Sequence, residues 1–415
     1  MPKIYQLLIE KINNKNALIE SWFQEKFSKN KPLFYNSVDL RYSGFKIAPI
    51  DTNCFPAGFN NLSQNSKIIA QTAVRDFLKK NFLDAKKILI IPENHTRNFR
   101  YLENVLALAQ ISSEVDQVAQ VDIGSLIPEI ENNLEIDLEN GKKIILQKLL
   151  KNGDKIFTKN IKSGDIFIPD LVISNNDFTD GIPDFLKDID QPIVPSAALG
   201  WHQRTKSIHF GIYNNLAKEL ANLIDIDPWL ISTMHYTCNE INFKEGKGAQ
   251  YLENQVDKLI LEIKEKYQEY KIDAEPYCYI KADSGTYGLG MMTAKSSMDI
   301  AEINKKERNK MNIIKGNVQN THVIIQEGLL TIDRVKNIIA EPMIYLVNGQ
   351  VVGNLFRVNE SRNNMISLNA AGMSFYDMDD LNDDELFLGL PKNEVVKIYS
   401  LIARLAALAA SSESY

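Results

Sequence analysis

The sequence predicts an α/β protein, α+β in part, on three observations. Between Ser66 and Phe82 the apolar residues Ile68, Ile69, Ala73, Phe77 and Leu78 recur at helical spacing, and the unbroken run Ile88-Leu89-Ile90-Ile91 follows a charged turn. A second run, Leu171-Val172-Ile173-Ser174, is also uninterrupted by charge and ends in the loop "NNDFTDG", as buried parallel strands commonly do. Finally, "EPMIYLVNGQVVGNLFRVN" sets two apolar runs around Asn348-Gly349, a dipeptide that supplies both positive φ angles of a type I′ hairpin turn.

Taken in order, the elements begin with "MPKIYQLLIEKINNKNALIE", whose charges are scattered through its apolar positions. It predicts an amphipathic helix and not a secretory signal. After the αβ unit of 66–91 comes "IPENHTRNFRY", a loop leading into a helix that carries Tyr101, Leu102 and Val105, with Asn94 or Thr96 as its cap. Residues 126–166 are rich in Glu, Asn and Lys with weak periodicity, which suggests a peripheral insertion. From about 245 the texture changes. A long charged helix (Gln250 to Tyr270) precedes the strand "YCYIKA", then a second charged helix (Asp299 to Met311) and the strand "HVIIQEG", in a βαβ-like order. The closing stretch "VVKIYSLIARLAALAASS" holds Lys397 and Arg404 and falls short of the ~20 apolar residues that cross a bilayer, so it is expected to pack on the core.

At 415 residues, 44% hydrophobic and 24% charged, the chain is long enough for about two or three domains. Its 47 basic and 53 acidic side chains give a net charge of -6, which argues against broad attraction to nucleic acid or an anionic membrane. Cys54, Cys238 and Cys278 are odd in number and without C-x-x-C spacing. Neither a disulfide framework nor a zinc site is favoured, and a reducing cytoplasm fits best. Cys54 reads as a small packing residue. The five histidines show no metal spacing, although His202, in "WHQR", could touch a substrate.

The stretch "YIKADSGTYGLGMM" sets Lys281 and three glycines after an apolar strand. Gly285-x-x-Gly288-x-Gly290 is the reverse of the dinucleotide fingerprint, and no G-x-x-x-x-G-K-[ST] occurs anywhere. Glycines so placed let backbone N–H groups converge on an anion, in charge-assisted hydrogen bonds of roughly 1.5–3 kcal/mol each. Downstream, Gln326 and Glu327 end a buried apolar strand, where a polar pair needs partners such as an adenine edge. Arg357 lies on an otherwise apolar hairpin strand and suits a phosphate, and Asn369, in the turn "SLNAAGM" with Gly372, suits magnesium.

This order of parts resembles the ATP-grasp ligases. "DLRYSGFKIAPIDTNCFPAGFNNL" (39–62), "WHQRTKSIHF" (201–210), "KADSGTYGLGMM", "RNKM" (308–311), "VIIQEG" and "AEPMIYLVNGQVVG" together resemble the bacterial glutamate–cysteine ligases of that type, over nearly the whole chain. The resemblance implies an ATP-grasp architecture behind an N-terminal α/β substrate domain: residues 1–200 as substrate domain, 201–245 as a connecting segment with a substrate motif, 246–330 as the small domain with its glycine-rich lid, and 331–415 as the catalytic domain. It implies formation of γ-glutamylcysteine from glutamate, cysteine and ATP, the first step of glutathione synthesis, with Mg2+ on the phosphates. Lys281 and the backbone from Ser284 through Gly285, Thr286, Tyr287 and Gly288 to Gly290 would hold the phosphates, and Gln326 and Glu327 the adenine. Arg357 would stabilise the transferring phosphoryl group, and no nucleophilic side chain is required. One departure stands out. Members usually carry an acidic residue just before the turn asparagine, whereas Ser367 stands before Asn369 here, leaving Glu341 and Glu360 as the nearest metal candidates.

The amino-terminal motif concentrates Arg41, Lys46, Asp51, Asn53, Asn60 and Asn61 among turn-forming Pro and Gly. A zwitterionic amino acid needs a cation for its carboxylate, for which Arg41 or Arg204 is suited, and an anion for its amine, for which Asp51 is suited. Glu93, His95, Thr96, Arg97 and Asn98 follow a strand end, where α/β sheets bind ligands. Two alternatives stay open: another amino acid ligase of the same fold, and a nucleotide-binding protein that has lost catalysis. The subunit count is open too, a homo-oligomer included.

Overall fold

A computed structural model of the chain describes residues 4–159, 164–285, 290–312 and 320–415. The two unbroken apolar runs lie side by side. β3 (Lys87–Pro92) pairs in parallel with β10 (Leu171–Asn175) on one side and with β4 (Gln120–Ser125) on the other. β11 (Ile193–Val194), β6 (Lys143–Lys148) and β5 (Asn133–Asp137) complete a six-stranded sheet of order β11-β10-β3-β4-β6-β5. The polar segment 126–166 thus contributes a hairpin to this sheet's edge. Ile144 and Leu146 turn inward there on either side of the exposed Ile145, a period of two hidden in sequence by that outward apolar residue. A small three-stranded sheet joins β7 (Leu150–Asn152), β8 (Lys155–Lys159) and β9 (Ile166–Phe167).

The Asn-Gly hairpin forms as expected. β17 (Ile338–Val347) and β18 (Gln350–Val358) pair antiparallel, with Asn348 and Gly349 at φ 52° and 72°. They are central in a seven-stranded sheet with β1 (Tyr35–Tyr42), β2 (Ile47–Asn53), β19 (Ser374–Asp377), β16 (Arg334–Val335) and β20 (Leu386–Phe387). β1 lies against β17, so the two ends of the chain share one sheet. On one face Val38, Leu40, Ile344 and Phe356 meet α8 (Lys392–Ser411), which also packs on α1 (Ile4–Lys29) and α4 (Lys206–Ile224). Contact on so many sides explains the apolar, alanine-rich sequence of α8: small side chains let backbones approach, and each buried Leu or Ile adds about 1.5–3 kcal/mol. Among the described residues no helix is long and apolar enough to cross a membrane. α2 (Gln64–Asn81) covers part of the opposite face, over Met343, Tyr345 and Leu355.

The third sheet differs from expectation. β13 (Cys278–Ala282) pairs antiparallel with both β14 (Met291–Ala294) and β15 (Val323–Glu327), and β12 (His235–Cys238) flanks β15. The order is therefore not βαβ: β13 is followed by its own antiparallel neighbour β14, with no helix between them among the described residues. The helix expected over 299–311 is also interrupted, as α6 (Met298–Ala301) and α7 (Lys305–Met311). Asn304 caps α7 in a capping box with Glu307, because a short amide competes for backbone N–H groups better than it continues a helix. Likewise α3 (Phe99–Ser113) is capped by Asn98, not by Asn94 or Thr96. α5 (Ala249–Glu269) covers one face of this sheet through Cys278, Ile280, Val323 and Ile325.

Candidate active-site cleft

Strand alternation fixes which side chains meet. With Ile280 and Ile325 turned toward α5, Tyr279, Lys281 and Gln326 point the other way, onto the uncovered end of the seven-stranded sheet. From that sheet Asp39, Arg41, Asp51, Glu341 and Arg357 face them. The two surfaces touch. Arg41 donates to the Tyr279 hydroxyl, and Lys281 Nζ donates to the Ile50 carbonyl at 2.9 Å. We call the four-stranded sheet the roof and the charged end of the seven-stranded sheet the floor.

Arg41 is fully buried and saturated. It donates to Glu341 through Nε (2.8 Å) and Nη2, and to the carbonyls of Leu329 (2.8 Å) and Ile366 (2.7 Å). It is therefore not available to a substrate carboxylate, contrary to the expectation from sequence. Desolvation opposes its charge, but Tyr279 and Glu341 outweigh that and raise its pKa. Arg357 is different. Its Nη1 reaches Asp39 (2.7 Å) and Glu341 (3.4 Å), but its buried Nε has no partner among the described residues. Gln326 goes further: its side chain is fully buried and neither its Oε1 nor its Nε2 has a partner among the described residues. Such an amide costs about 1–3 kcal/mol unless something completes it.

Lys281 makes no hydrogen bond to a carboxylate among the described residues. Burial pushes its pKa down to about 8, against the pull of Asp51. Asp51 goes the opposite way: burial disfavours its charge, yet Lys206 and Lys281 hold it at about 2. Lys206 Nζ (3.1 Å) and the Thr52 N–H (3.1 Å) both donate to its Oδ1, while 39% of its side-chain surface stays open.

Glu327 is turned to the α5 side, away from Gln326, and is committed. It accepts from Lys46 Nζ (2.6 Å), Trp229 Nε1 (3.0 Å) and the Met234 N–H (3.2 Å), so it is not placed for an adenine edge. Just beyond it, Gly328 is required by contact: a Cβ there would lie 2.4 Å from the Tyr277 ring. In the glycine stretch, Gly285 and Gly290 adopt φ of +97° and +59°, while Thr286, Tyr287 and Gly288 lie outside the described residues. Sequence reasoning missed Asp283, whose carboxylate accepts from the Ser207 N–H (2.8 Å) and hydroxyl (2.6 Å) and joins this stretch to the start of α4. It also missed Asn359, whose amide donates to the Leu368, Ala370 and Ala371 carbonyls (3.2–3.4 Å) and shapes the turn that carries Asn369. Its motif-free surroundings gave no signal.

The nominated metal donors do not form a set. Glu341 is held by Arg41 and Arg357, Glu360 is exposed, and Asn369 is half-buried with its N–H on Ser367 Oγ (3.2 Å). Among the described residues no three His, Cys, Asp or Glu side chains gather to hold a metal ion. A carboxylate shared by two guanidiniums has little negative charge left for a cation.

Several amino-terminal candidates lie elsewhere. Asn53 Oδ1 accepts from the Phe55 N–H (2.9 Å), an Asx turn within its own loop. Asn60 and Asn61 contact each other (3.4 Å), in a loop held by the buried Asn104, whose Oδ1 accepts from the Gly58 and Phe59 N–H groups (2.9 and 3.0 Å). Arg97 is exposed beyond β3, and His202 Nδ1 pairs with the Phe178 carbonyl (3.0 Å). These groups surround the carboxyl ends of β3 and β10, where the strand order reverses direction. That end adjoins the floor: Tyr35 of β1 donates to the Ser174 carbonyl (2.6 Å), and Asn175 donates to Tyr35 and to the Pro56 carbonyl. Cys54 is buried and burial pushes its thiol up to about 12, consistent with a packing role. Arg204 is spent on Glu413 and the Thr52 carbonyl.

A crystal structure of a candidate gamma-glutamylcysteine synthetase from Methylobacillus flagellatus KT superimposes with a TM-score of 0.88 at 36% identity, covering 99% of this chain and 96% of that one. A glutathione synthetase-like effector from Globodera pallida (7% identity, 85% and 74% coverage, TM-score 0.35) and D-alanyl-alanine synthetase A from Vibrio cholerae (12%, 77% and 80%, 0.34) are too distant to carry an argument. No curated protein is similar enough to count as a match. The family model described as Glutamate-cysteine ligase matches residues 10–414, and the chain belongs to that family.

Proposed function

We propose that the cleft between roof and floor is where this ligase joins glutamate to cysteine at the expense of ATP. The activity follows from the family, and the residue roles are our reading. The observation that carries it is Gln326, a fully buried amide without a partner among the described residues, on the same roof face as Lys281. An adenine edge offers a donor and an acceptor side by side, which is what a side-chain amide lacks there. Lys281 and the backbone of the glycine stretch then meet the phosphates, and the open Nε of Arg357 meets the transferring group.

In this reading the glutamate side-chain carboxylate attacks the γ-phosphorus of ATP. ADP leaves, and an acyl phosphate forms. The cysteine amine, having lost a proton, attacks the acyl carbon; inorganic phosphate departs with the C–O bonding pair and takes up the second proton released by the nitrogen, and the amide is made. The protein's part is positioning and charge neutralisation, since phosphoryl transfer needs no covalent help from a side chain. Asp51, with open surface, receives an amino-acid ammonium group. Among the described residues the carboxylates do not make a magnesium site of their own, so magnesium would be held chiefly by the phosphates of the nucleotide and would supply charge neutralisation there. An ATP-consuming biosynthetic enzyme of this kind places the protein in the cytoplasm.

The test is ADP release measured with glutamate and cysteine together and with each omitted, alongside mass detection of γ-glutamylcysteine. ADP release that depends on both amino acids is expected. Release driven by a different amino acid pair would overturn the substrate assignment, and ATP binding without turnover would overturn the catalytic one.

A further inference from the structure

The carboxylate of Glu413, in the segment that follows α8, is completely enclosed. It accepts from Arg204 Nε (2.8 Å), Arg204 Nη2 (2.9 Å) and His209 Nδ1 (2.7 Å), all at the start of α4. Tyr415 closes the arrangement: its hydroxyl donates to Glu413 (2.9 Å) and accepts from the Thr205 N–H (3.4 Å). The remaining arm of Arg204, Nη1, donates to the Thr52 carbonyl at 2.6 Å. Thr52 is the next residue after Asp51 on β2. Lys206, two residues beyond Arg204, donates to Asp51 and rests 4.0 Å from the centroid of the Trp201 ring.

A planar guanidinium held in bidentate fashion on one edge has its other edge aimed as well, because the fork is rigid. Glu413 therefore determines where Arg204 Nη1 points, and Nη1 determines where the Thr52 peptide lies. Asp51 precedes that peptide by one residue: its open carboxylate accepts from the Thr52 N–H and is directed by the same segment through Lys206. We infer that Glu413 is a positioning residue for the ligase reaction: it fixes Arg204, and through Arg204 the strand end that presents Asp51 to the amino-acid ammonium group. This rests on the reading of Asp51 given above. A tail that merely stabilised the fold would lower the active fraction, and with it apparent kcat, at unchanged KM values, whereas a device that aims Asp51 raises one amino-acid KM selectively.

The experiment compares the full chain with Glu413→Gln, Tyr415→Phe, Arg204→Lys and the double variant Glu413→Gln/Arg204→Lys, measuring KM for each amino acid, KM for ATP and kcat. Wild-type turnover with glutamate and cysteine is scored first, so a failure of the substrate reading is seen before any variant is compared. Glu413→Gln is expected to raise KM for one amino acid about tenfold, with KM for ATP within about twofold, because the neutral amide loses the charge-assisted part of the pair. The double variant is expected to match the more impaired single one, since both changes break the same link. Tyr415→Phe removes only the outer bond and is expected to raise the same KM about twofold; if Glu413→Gln does not fold, this variant decides. An unchanged amino-acid KM, a matching rise in KM for ATP, or additive effects of the two single changes would overturn the proposal.

Discussion

On the floor of the cleft Arg41 uses its donors on Glu341, Tyr279 and main-chain carbonyls, while on the roof neither amide atom of Gln326 has a partner among the described residues and Lys281 holds one carbonyl. The two regions meet where Arg41 touches Tyr279, the strand partner of Gln326, and both are buried. What separates them is whether the protein itself supplies the partner. A completed buried pair organises structure, and breaking it exposes an uncompensated charge. An incomplete one is a cost that a ligand can relieve, which makes it a better marker of a binding surface than charge alone. Arg357 stands between the two, with one arm on Asp39 and its Nε without a partner among the described residues.

The comparison breaks if a floor residue behaves like a roof residue. Arg41→Ala leaves Glu341 without its main partner and is expected to destabilise the fold by about 3–5 kcal/mol, read in a denaturant titration; a small loss of stability together with a large loss of nucleotide affinity would put Arg41 among the binding groups. Lys281→Ala is expected to forgo roughly 1.5–3 kcal/mol of phosphate interaction, a ten- to hundredfold rise in KM for ATP with little change in melting temperature. Because Lys281 is charged only below about 8, kcat/KM for ATP should hold at lower pH and decline as pH rises through that value, and the alanine variant should lack that decline.

Gln326→Met sharpens the contrast, since the two effects have opposite signs. Removing an unsatisfied amide at similar volume should raise stability by about 1 kcal/mol while raising KM for ATP severalfold. Equal losses of both would place Gln326 among structural residues. No effect on nucleotide affinity is expected at Asp333, which is fully buried and accepts from Tyr399 (2.8 Å) and Tyr5 (3.5 Å). Burial raises its pKa to about 8 from 3.8, so the folded chain keeps a proton that the unfolded chain releases. Its contribution to stability is full below about 4 and is lost as pH climbs to about 8. Asp333→Asn should flatten that part of the melting-temperature profile and leave the ATP dependence unchanged.

Read from the sequence alone, the buried strands at 88–91 and 171–174, the Asn-Gly hairpin, the long helix before "YCYIKA" and the placement of Lys281, Gln326 and Arg357 as polar side chains on apolar strands were legible, because each rests on local pattern: unbroken apolar runs, a turn dipeptide, a polar residue on an apolar strand. The nearly full-length motif order made the family legible as well. What tertiary structure decided was who partners whom. Arg41 and Arg204 look like free cations in sequence and are neutralised by Glu341 and Glu413, each more than 200 positions away. Glu327 lies next to Gln326 yet faces the other side of its sheet, since successive strand residues alternate. Whether a charge is spent or open depends on contacts closed across the whole chain, and no local spacing encodes them.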